Sequence, residues 1–218
     1  MTSSSKKINR VVATAVFAAV AYLSMFFTPF RVDFLTFDIK DAVMTIGALY
    51  LGPISGLCMS AVTALLEMVT ISQTGLDGMI MNFLGSATFA VVASVIYTYR
   101  KSLKTAVLGL IAATLAMTAV MLAFNLIITP HFKGIPVQAV IDMIMPLLLP
   151  FNLLKGILNS ALVMLLYKPV TTALRHTRLA VGDAHTGLNK NTVIISIVSL
   201  AVIAAALLFF FTQLGATV

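Results

Sequence analysis

Charged residues are scarce in this chain of 218 residues, because Asp, Glu, Lys and Arg together make up only 10% of it. An ordinary soluble domain has roughly 25%. Hydrophobic residues make up 60% of the sequence. So few charged side chains could not cover the apolar surface of a water-soluble globule, and the hydrophobic content also excludes intrinsic disorder. The composition therefore predicts a polytopic membrane protein.

Motifs for metal binding and catalysis are also lacking. Cys58 is the one cysteine and lies in an apolar run, which excludes a disulfide scaffold. No His or Cys residues have the spacing of metal ligands. The sequence contains no phosphate-binding G-x-x-x-x-G-K-[ST] motif, no H-E-x-x-H and no G-x-S-x-G. We therefore expect no metal, no cofactor, no catalytic residues and no ATP hydrolysis by this chain itself.

Long apolar runs are abundant. A membrane-spanning helix needs about 20 mostly apolar residues, and six runs approach that length. A seventh run, at 39–51, is short and ends at Gly52-Pro53, where proline suits the first turn of a following helix. No strand alternation and no internal repeat is visible, so we predict an all-α integral membrane protein. The six long runs are 9–29, 53–71, 79–99, 105–129, 146–168 and 192–212.

The distribution of Lys and Arg predicts an orientation. If the N-terminus is cytoplasmic and the short run counts as a helix, most basic residues fall on the cytoplasmic side. Only Arg31, Lys40 and Lys133 then lie on the extracellular side. An excess of Lys and Arg in cytoplasmic loops is what determines the orientation of a membrane protein. The net charge of +7 therefore reflects membrane topology rather than nucleic-acid binding. We expect the first segment to be retained rather than cleaved as a signal peptide.

The predicted organisation has four parts. Residues 1–8 form a cytoplasmic N-terminus, and 9–170 form a six-helix membrane core. Residues 171–190 form a polar cytoplasmic linker, and 191–218 contain a seventh, C-terminal transmembrane helix. The apolar part of this last helix has no internal charge, so we interpret it as an anchor outside the functional core.

When the short run is counted as the second of seven spans, a polar face in the sixth span, 146–168, is the strongest functional signal. Asn152, Lys155 and Asn159 are three and four residues apart and so share one face of a helix. A charged group at the depth of Lys155 costs several kcal/mol unless it faces a cavity or a partner. The alternative is that Lys155 snorkels to the outer interface, but its stem would have to reach back about two turns.

Two further amides lie near the outer ends of other spans, Asn82 in the fourth and Asn125 in the fifth. Each alone could simply bond to a neighbouring helix. Together with Asn152 and Lys155 at a similar depth, they predict one pocket that opens to the outside. Amides supply both donors and acceptors, so this set suits a flat, neutral ligand with alternating carbonyl and N–H groups.

The loop at 30–40 connects the first two spans on the outer side. It contains Phe34 and Leu35, whose apolar side chains could cover a bound ring as a lid. They could equally form an interfacial aromatic belt. Glu67 and Asp77 are expected to be solvated at the outer rim.

Small residues lie on one face of the first span, where Ala15 and Ala19 are four positions apart. Side chains of this size let another helix approach closely. The partner could be a helix of the same chain or a separate membrane subunit.

Four stretches carry a resemblance to a known family. They are the alanine-rich first helix, the run 37–41 leading to Leu51-Gly52-Pro53, the run 81–84, and the run 149–156, which reads Leu-Pro-Phe-Asn-Leu-Leu-Lys-Gly. Over residues 9–170 the chain resembles the substrate-binding S component of energy-coupling factor (ECF) vitamin transporters, and is most similar to the riboflavin-specific branch. The third span departs from the pattern in the run 60–67, which contains no lysine, because related proteins often carry one there.

The resemblance implies a six-helix core that binds riboflavin near the outer face of the cell membrane. It also implies a transmembrane coupling subunit and two cytoplasmic ATPase subunits, which use the ATP. Ala15 and Ala19 would face the coupling subunit. The residues that would line the vitamin site are Asn82, Asn125, Asn152, Lys155, Phe34 and Leu35.

Two other interpretations stay open. One is an S component for another small vitamin, such as pyridoxine. The other is a self-sufficient secondary transporter, which would have inverted repeats and paired ionisable groups near the middle of the membrane. Lys155 is the one charged residue that the sequence predicts to be clearly buried.

Overall fold

The computed structural model describes residues 3–27, 30–175, 190–209 and 212, and these are mainly helical. A short hairpin follows the first helix, with β1 (Phe30–Val32) paired antiparallel to β2 (Leu35–Phe37). The predicted all-α membrane fold is confirmed. The hairpin was not predicted, because strands of three residues are too short to show alternation. The helices are α1 (Ser3–Ser24), α2 (Lys40–Leu51), α3 (Pro53–Thr70), α4 (Gly75–Tyr99), α5 (Leu103–Lys133), α6 (Val137–Met143), α7 (Leu149–Arg175) and α8 (Lys190–Phe209).

Five helical segments are long and apolar enough to cross a membrane: those of α1, α3, α4, α5 and the continuous run Val137–Leu174, which contains α6 and α7. In α8, the apolar stretch Val193–Phe209 is shorter. With 12 residues, α2 is about 18 Å long and too short for a hydrocarbon core of about 30 Å. The predicted short helix exists, but it does not span the membrane by itself.

α2 lies inside the bundle, where it contacts α1, α3, α4 and α7. Each of its residues except Val43 is buried. It ends at Gly52, whose φ of 104° favours glycine, and Pro53 begins α3 as predicted. At this end Arg10 of α1 donates through Nε to the Leu51 carbonyl oxygen at 2.9 Å, which satisfies one of the free carbonyls of α2.

The helical run that contains the sixth predicted span, 146–168, begins earlier than predicted. α6 starts at Val137 and continues through a π-helical turn at Ile144–Leu148 into α7. Pro146 lies in this turn, and it cannot donate the usual backbone hydrogen bond. α7 ends at Arg175, so it includes the first residues of the predicted linker. The rest of the predicted linker, 176–189, and the predicted C-terminus at 213–218 lie outside the described residues.

Buried apolar side chains form two clusters. The larger lies between α1, α2, α3, α4, α5 and α7. The smaller, which we call the hairpin cluster, lies at the end of the bundle that carries β1 and β2. We call this the hairpin end; α1, α3 and α5 end there, and α4 and α6 begin there. The buried members of the hairpin cluster are Leu35, Phe37, Val140, Leu148, Phe151, Leu154, Leu158 and Ala206.

Close packing between α4 and α5 generates a test of the fold. A Cβ on Gly109 would lie 2.9 Å from the carbonyl oxygen of Ala93, so Gly109→Leu must force the two helices apart. Overpacking of this kind costs roughly 1–3 kcal/mol. We expect a lower melting temperature in detergent. Ala123→Leu, at an exposed position of α5, is the control, and equal melting temperatures for the two variants would contradict this packing.

Candidate ligand-binding site

A cavity of about 460 Å³ opens at the hairpin end of the bundle. Small-molecule sites usually have about 300–1,000 Å³. The cavity is bounded by the hairpin, the connection between α3 and α4, and residues of α4, α5 and α7. The structure places all six predicted site residues on its wall: Phe34, Leu35, Asn82, Asn125, Asn152 and Lys155. Their role in binding a ligand stays a prediction.

The three amides of the cavity differ in how far the protein satisfies them. Asn125 donates to the Met121 carbonyl oxygen at 2.7 Å and accepts from Thr129 at 2.7 Å. Asn152 donates to the Leu148 carbonyl oxygen at 2.7 Å. No donor within the described ranges is bonded to the Oδ1 of Asn152 or of Asn82, so both amides can accept a hydrogen bond from a ligand.

Asn159 does not line the cavity but has a structural role. Its Nδ2 donates to the carbonyl oxygens of Asp38 at 3.2 Å and Lys155 at 3.0 Å, and its Oδ1 accepts from the backbone N–H of Ala42 at 2.9 Å. Asn159 therefore ties the start of α2 to α7. The polar face predicted on this helix thus divides into cavity-lining residues and one that supports them.

Lys155 is not the lone buried charge that the sequence predicted. Its ammonium lies 3.4 Å from both Asp38 and Asp41. The ammonium of Lys40 lies 2.6 Å from Glu67 and 3.5 Å from Asp38. The prediction was wrong because the connection from β2 to α2 enters the bundle, whereas the sequence assigned it to a solvated loop. We call these five residues the charge network.

Lys155 does not snorkel to the interface. The exposed fraction of its side chain is 12%, and it points to the charge network and the cavity. The hydrophilic partners and the cavity together explain how an ammonium is tolerated on a membrane-spanning helix.

Glu67 was expected at the solvated rim, and this prediction was wrong. The residue is 8% exposed. One carboxylate oxygen accepts from Lys40 at 2.6 Å and the other accepts from Asn82 Nδ2 at 2.7 Å. Glu67 therefore orients the Asn82 amide, and the free carbonyl oxygen of that amide is left for a ligand. Asp77 does lie at the rim of the cavity, partly exposed and 3.3 Å from His131.

The charge network contains three carboxylates and two ammonium groups, which is the pairing that buried charges require. Burial disfavours the charged form of Asp38, but the ammonium groups of Lys155 and Lys40 outweigh this effect and hold the pKa of Asp38 below its usual range. Its Oδ1 has no hydrogen-bond partner within the described ranges, and Asp38 lines the cavity. Asp38 is therefore a further candidate acceptor that sequence reasoning missed.

The hairpin turn lies at one side of the cavity and is bound to the end of α5. Asp33, which has a φ of 52°, forms an ion pair with Lys133 at the end of α5. The Lys133 ammonium also lies 4.4 Å from the centroid of the Phe34 ring, a cation–π distance. Leu35 is buried and Phe34 is half-buried, and both line the cavity, so they do not form an exposed aromatic belt. Their covering of a bound ring as a lid stays a prediction.

Ala15 and Ala19 lie away from the cavity, on an exposed face of α1. Val12, Val16 and Val20 are exposed beside them. Within the described ranges this face is not used for packing, so it is accessible to lipid or to another membrane protein.

Comparison with known proteins adds four findings. The model of the family "ECF transporter, substrate-specific component" matches residues 9–167. The chain is 30% identical over 181 residues to the riboflavin transporter RibU of Staphylococcus aureus (strain TCH60), covering 77% of this chain and 93% of that protein. It is 25% identical over 173 residues to the riboflavin transporter FmnP of Bacillus subtilis (strain 168), covering 74% and 91%. A solved structure of the S component of a bacterial ECF transporter is similar, with a TM-score of 0.66 and 29% identity over 78% of this chain and 99% of that one.

The Lys40–Glu67 pair can be tested by a double-mutant cycle. Breaking a buried pair from one side usually costs roughly 3–5 kcal/mol, whereas removing both charges costs much less. We expect Lys40→Met to lower the melting temperature in detergent strongly, and Glu67→Gln in the same chain to restore part of it. If the decreases in melting temperature of the two single variants add up to the decrease of the double variant, the two residues are not coupled in the folded protein.

Proposed function

This chain belongs to the substrate-specific component family of ECF transporters, and from this premise we propose that it binds riboflavin and delivers it across the membrane as the S component of an ATP-driven importer. The observation that carries the proposal is the cavity at the hairpin end, where amides, an ammonium group and aromatic rings meet. Two similar proteins are riboflavin transporters, which supports the choice of vitamin.

The chemistry of riboflavin suits this cavity. The vitamin is largely uncharged and has a flat tricyclic ring with a polar pyrimidine edge. Lys155 and the N–H groups of the amides can donate to its two carbonyl oxygens, and the carbonyl oxygen of Asn152 can accept from its ring N–H. Phe34 and Phe151 can cover the ring faces. Each carboxylate of the charge network already lies within 3.5 Å of an ammonium group, so an uncharged ligand leaves these ion pairs intact.

The orientation we propose places the hairpin end outside the cell and the N-terminus in the cytoplasm. The end opposite the hairpin carries most of the described basic residues, as expected of the cytoplasmic side of a multi-pass protein in the plasma membrane. The cavity then opens to the extracellular side. The basic residues of the described ranges at the opposite end are Lys6, Lys7, Arg10, Arg100, Lys101, Lys104, Lys168, Arg175 and Lys190.

The driving force in this proposal comes from partners. The sequence has no phosphate-binding motif, so a transmembrane coupling subunit and two cytoplasmic ATPase subunits would supply the energy of ATP. The exposed face of α1 at Ala15 and Ala19 would contact the coupling subunit. We propose no catalytic role, no cofactor and no nucleic-acid partner for the chain itself.

One observation favours a second candidate. The charge network supplies paired ionisable groups of the kind that stand-alone secondary transporters use. A secondary transporter would take up riboflavin into vesicles in response to an ion gradient without any other subunit. The S-component proposal predicts no uptake by the chain alone.

The binding site is tested with purified protein in detergent, without ATP. Riboflavin should bind and its fluorescence should be quenched. Asn152→Ala should weaken binding more than about tenfold, because an unpaired polar group in a dry site costs roughly 1–3 kcal/mol. Lys155→Ala should weaken it at least as much, with size-exclusion chromatography to check folding. Lys104→Ala, exposed at the opposite end, is the control, and full affinity in Asn152→Ala would refute the site.

The coupling surface is tested in cells that also produce the partner subunits. Ala15→Trp or Ala19→Trp should leave riboflavin binding unchanged but abolish uptake, because a bulky side chain prevents close approach of another helix. Leu108→Trp, at an exposed position of α5, is the matched control. If uptake survives in both alanine variants, the coupling subunit docks elsewhere.

A further inference from the structure

α8 lies beyond the segment that matches the family, which ends at residue 167. It nevertheless packs along α7. Its burial follows a helical period, since one face is fully or partly buried and the opposite face is exposed. The buried and half-buried positions are Ile195, Ser196, Ser199, Val202, Ile203, Ala206 and Leu207. α8 is therefore a packed element of the bundle rather than a helix surrounded by lipid.

The two halves of the packed face differ. In the half near the start of α8, the packed face includes two small side chains, Ser196 and Ser199, and side chains of this size allow a neighbouring helix to approach closely. In the half near its end, Ala206 is a buried member of the hairpin cluster, and Ile203 and Leu207 pack against that cluster. The end of α8 thus reaches the same group of side chains as β2 and the start of α7.

The hairpin cluster also borders the cavity. Leu35 and Phe151 belong to the cluster and line the cavity, and Phe34 packs against the cluster and lines the cavity too. α8 supplies Ile203, Ala206 and Leu207 to the same cluster but contributes no cavity-lining residue within the described ranges. It therefore supports the wall formed by the hairpin and α7 from behind.

We propose that α8 is a brace that holds the hairpin and the start of α7 in the arrangement seen in the structure, which we call the closed arrangement, and so slows exchange of the ligand. Close-packed interiors transmit displacements between neighbouring elements, so a ligand that must move the hairpin has to disturb the packing of α8 as well. The proposal rests on the proposed function for the identity of the ligand. A simple membrane anchor would instead depend on hydrophobicity alone, and its packed and exposed faces would be equivalent.

The test compares the two faces of α8 in the full chain. Ile203→Ala with Leu207→Ala removes side-chain atoms from the packed face. Ile197→Ala with Val198→Ala removes similar atoms from the exposed face, where both residues are more than half exposed. Stopped-flow fluorescence gives the rate of riboflavin dissociation. We expect the packed-face variant to release riboflavin about three to ten times faster than the unaltered chain, because lost core packing weakens the closed arrangement, and the exposed-face variant to match the unaltered chain.

A second measurement needs no ligand. Backbone amide hydrogen exchange of residues 33–37 should speed up in the packed-face variant and not in the exposed-face variant, because exchange reports local opening. If the double variant does not fold, Ile203→Val should produce a smaller change in the same direction. Unchanged hairpin exchange and release would overturn the brace. If the unaltered chain binds no riboflavin, the proposed function fails, while the exchange measurement still decides the brace.

Discussion

The burial of five charged side chains at the hairpin end of an apolar bundle is the constraint on which the site depends. Charges in a low-dielectric interior must be paired and hydrogen-bonded, and this is why α2 starts inside the bundle. Lys155 from α7 meets Asp38 and Asp41, while Lys40 meets Glu67 of α3. The charge network thereby joins three helices and the hairpin at one depth, and one side of it forms part of the cavity wall.

The charge network determines which polar groups of the cavity wall are free to bind a ligand. Glu67 accepts a hydrogen bond from the amide N–H of Asn82, so the amide carbonyl oxygen of Asn82 stays free. Asn159 donates to the backbone carbonyl oxygen of Asp38 and holds it in place. The charged side chains thus pair mostly with each other, and the groups left for a ligand are the amide oxygens of Asn82 and Asn152, one carboxylate oxygen of Asp38 and the ammonium of Lys155. A site of this kind selects for shape and hydrogen-bond pattern rather than charge, which suits a planar, uncharged nutrient.

The hairpin cluster connects this chemistry to a structural element outside the family's matched segment. Its side chains separate the cavity from α8, and the same leucine and phenylalanine residues contribute to both the wall and the packing behind it. In the brace that we propose, the mobility of the hairpin therefore depends on residues of α8 that do not line the cavity, because close-packed elements transmit displacements to each other.

Composition, hydropathy and the spacing of Asn152 and Lys155 were enough to predict a helical membrane protein and four polar residues that line one cavity, because both are consequences of local pattern and the cost of burying polar groups. Only the tertiary structure placed Asp38, Lys40 and Glu67 in the interior. Lys155 and Asp38 are 117 positions apart, and no periodicity reports a pairing between residues so distant. The positions of the hairpin and of α8 could not be predicted for the same reason, because they depend on contacts between segments that are distant in the sequence. The sequence pattern indicates only which side chains must be buried.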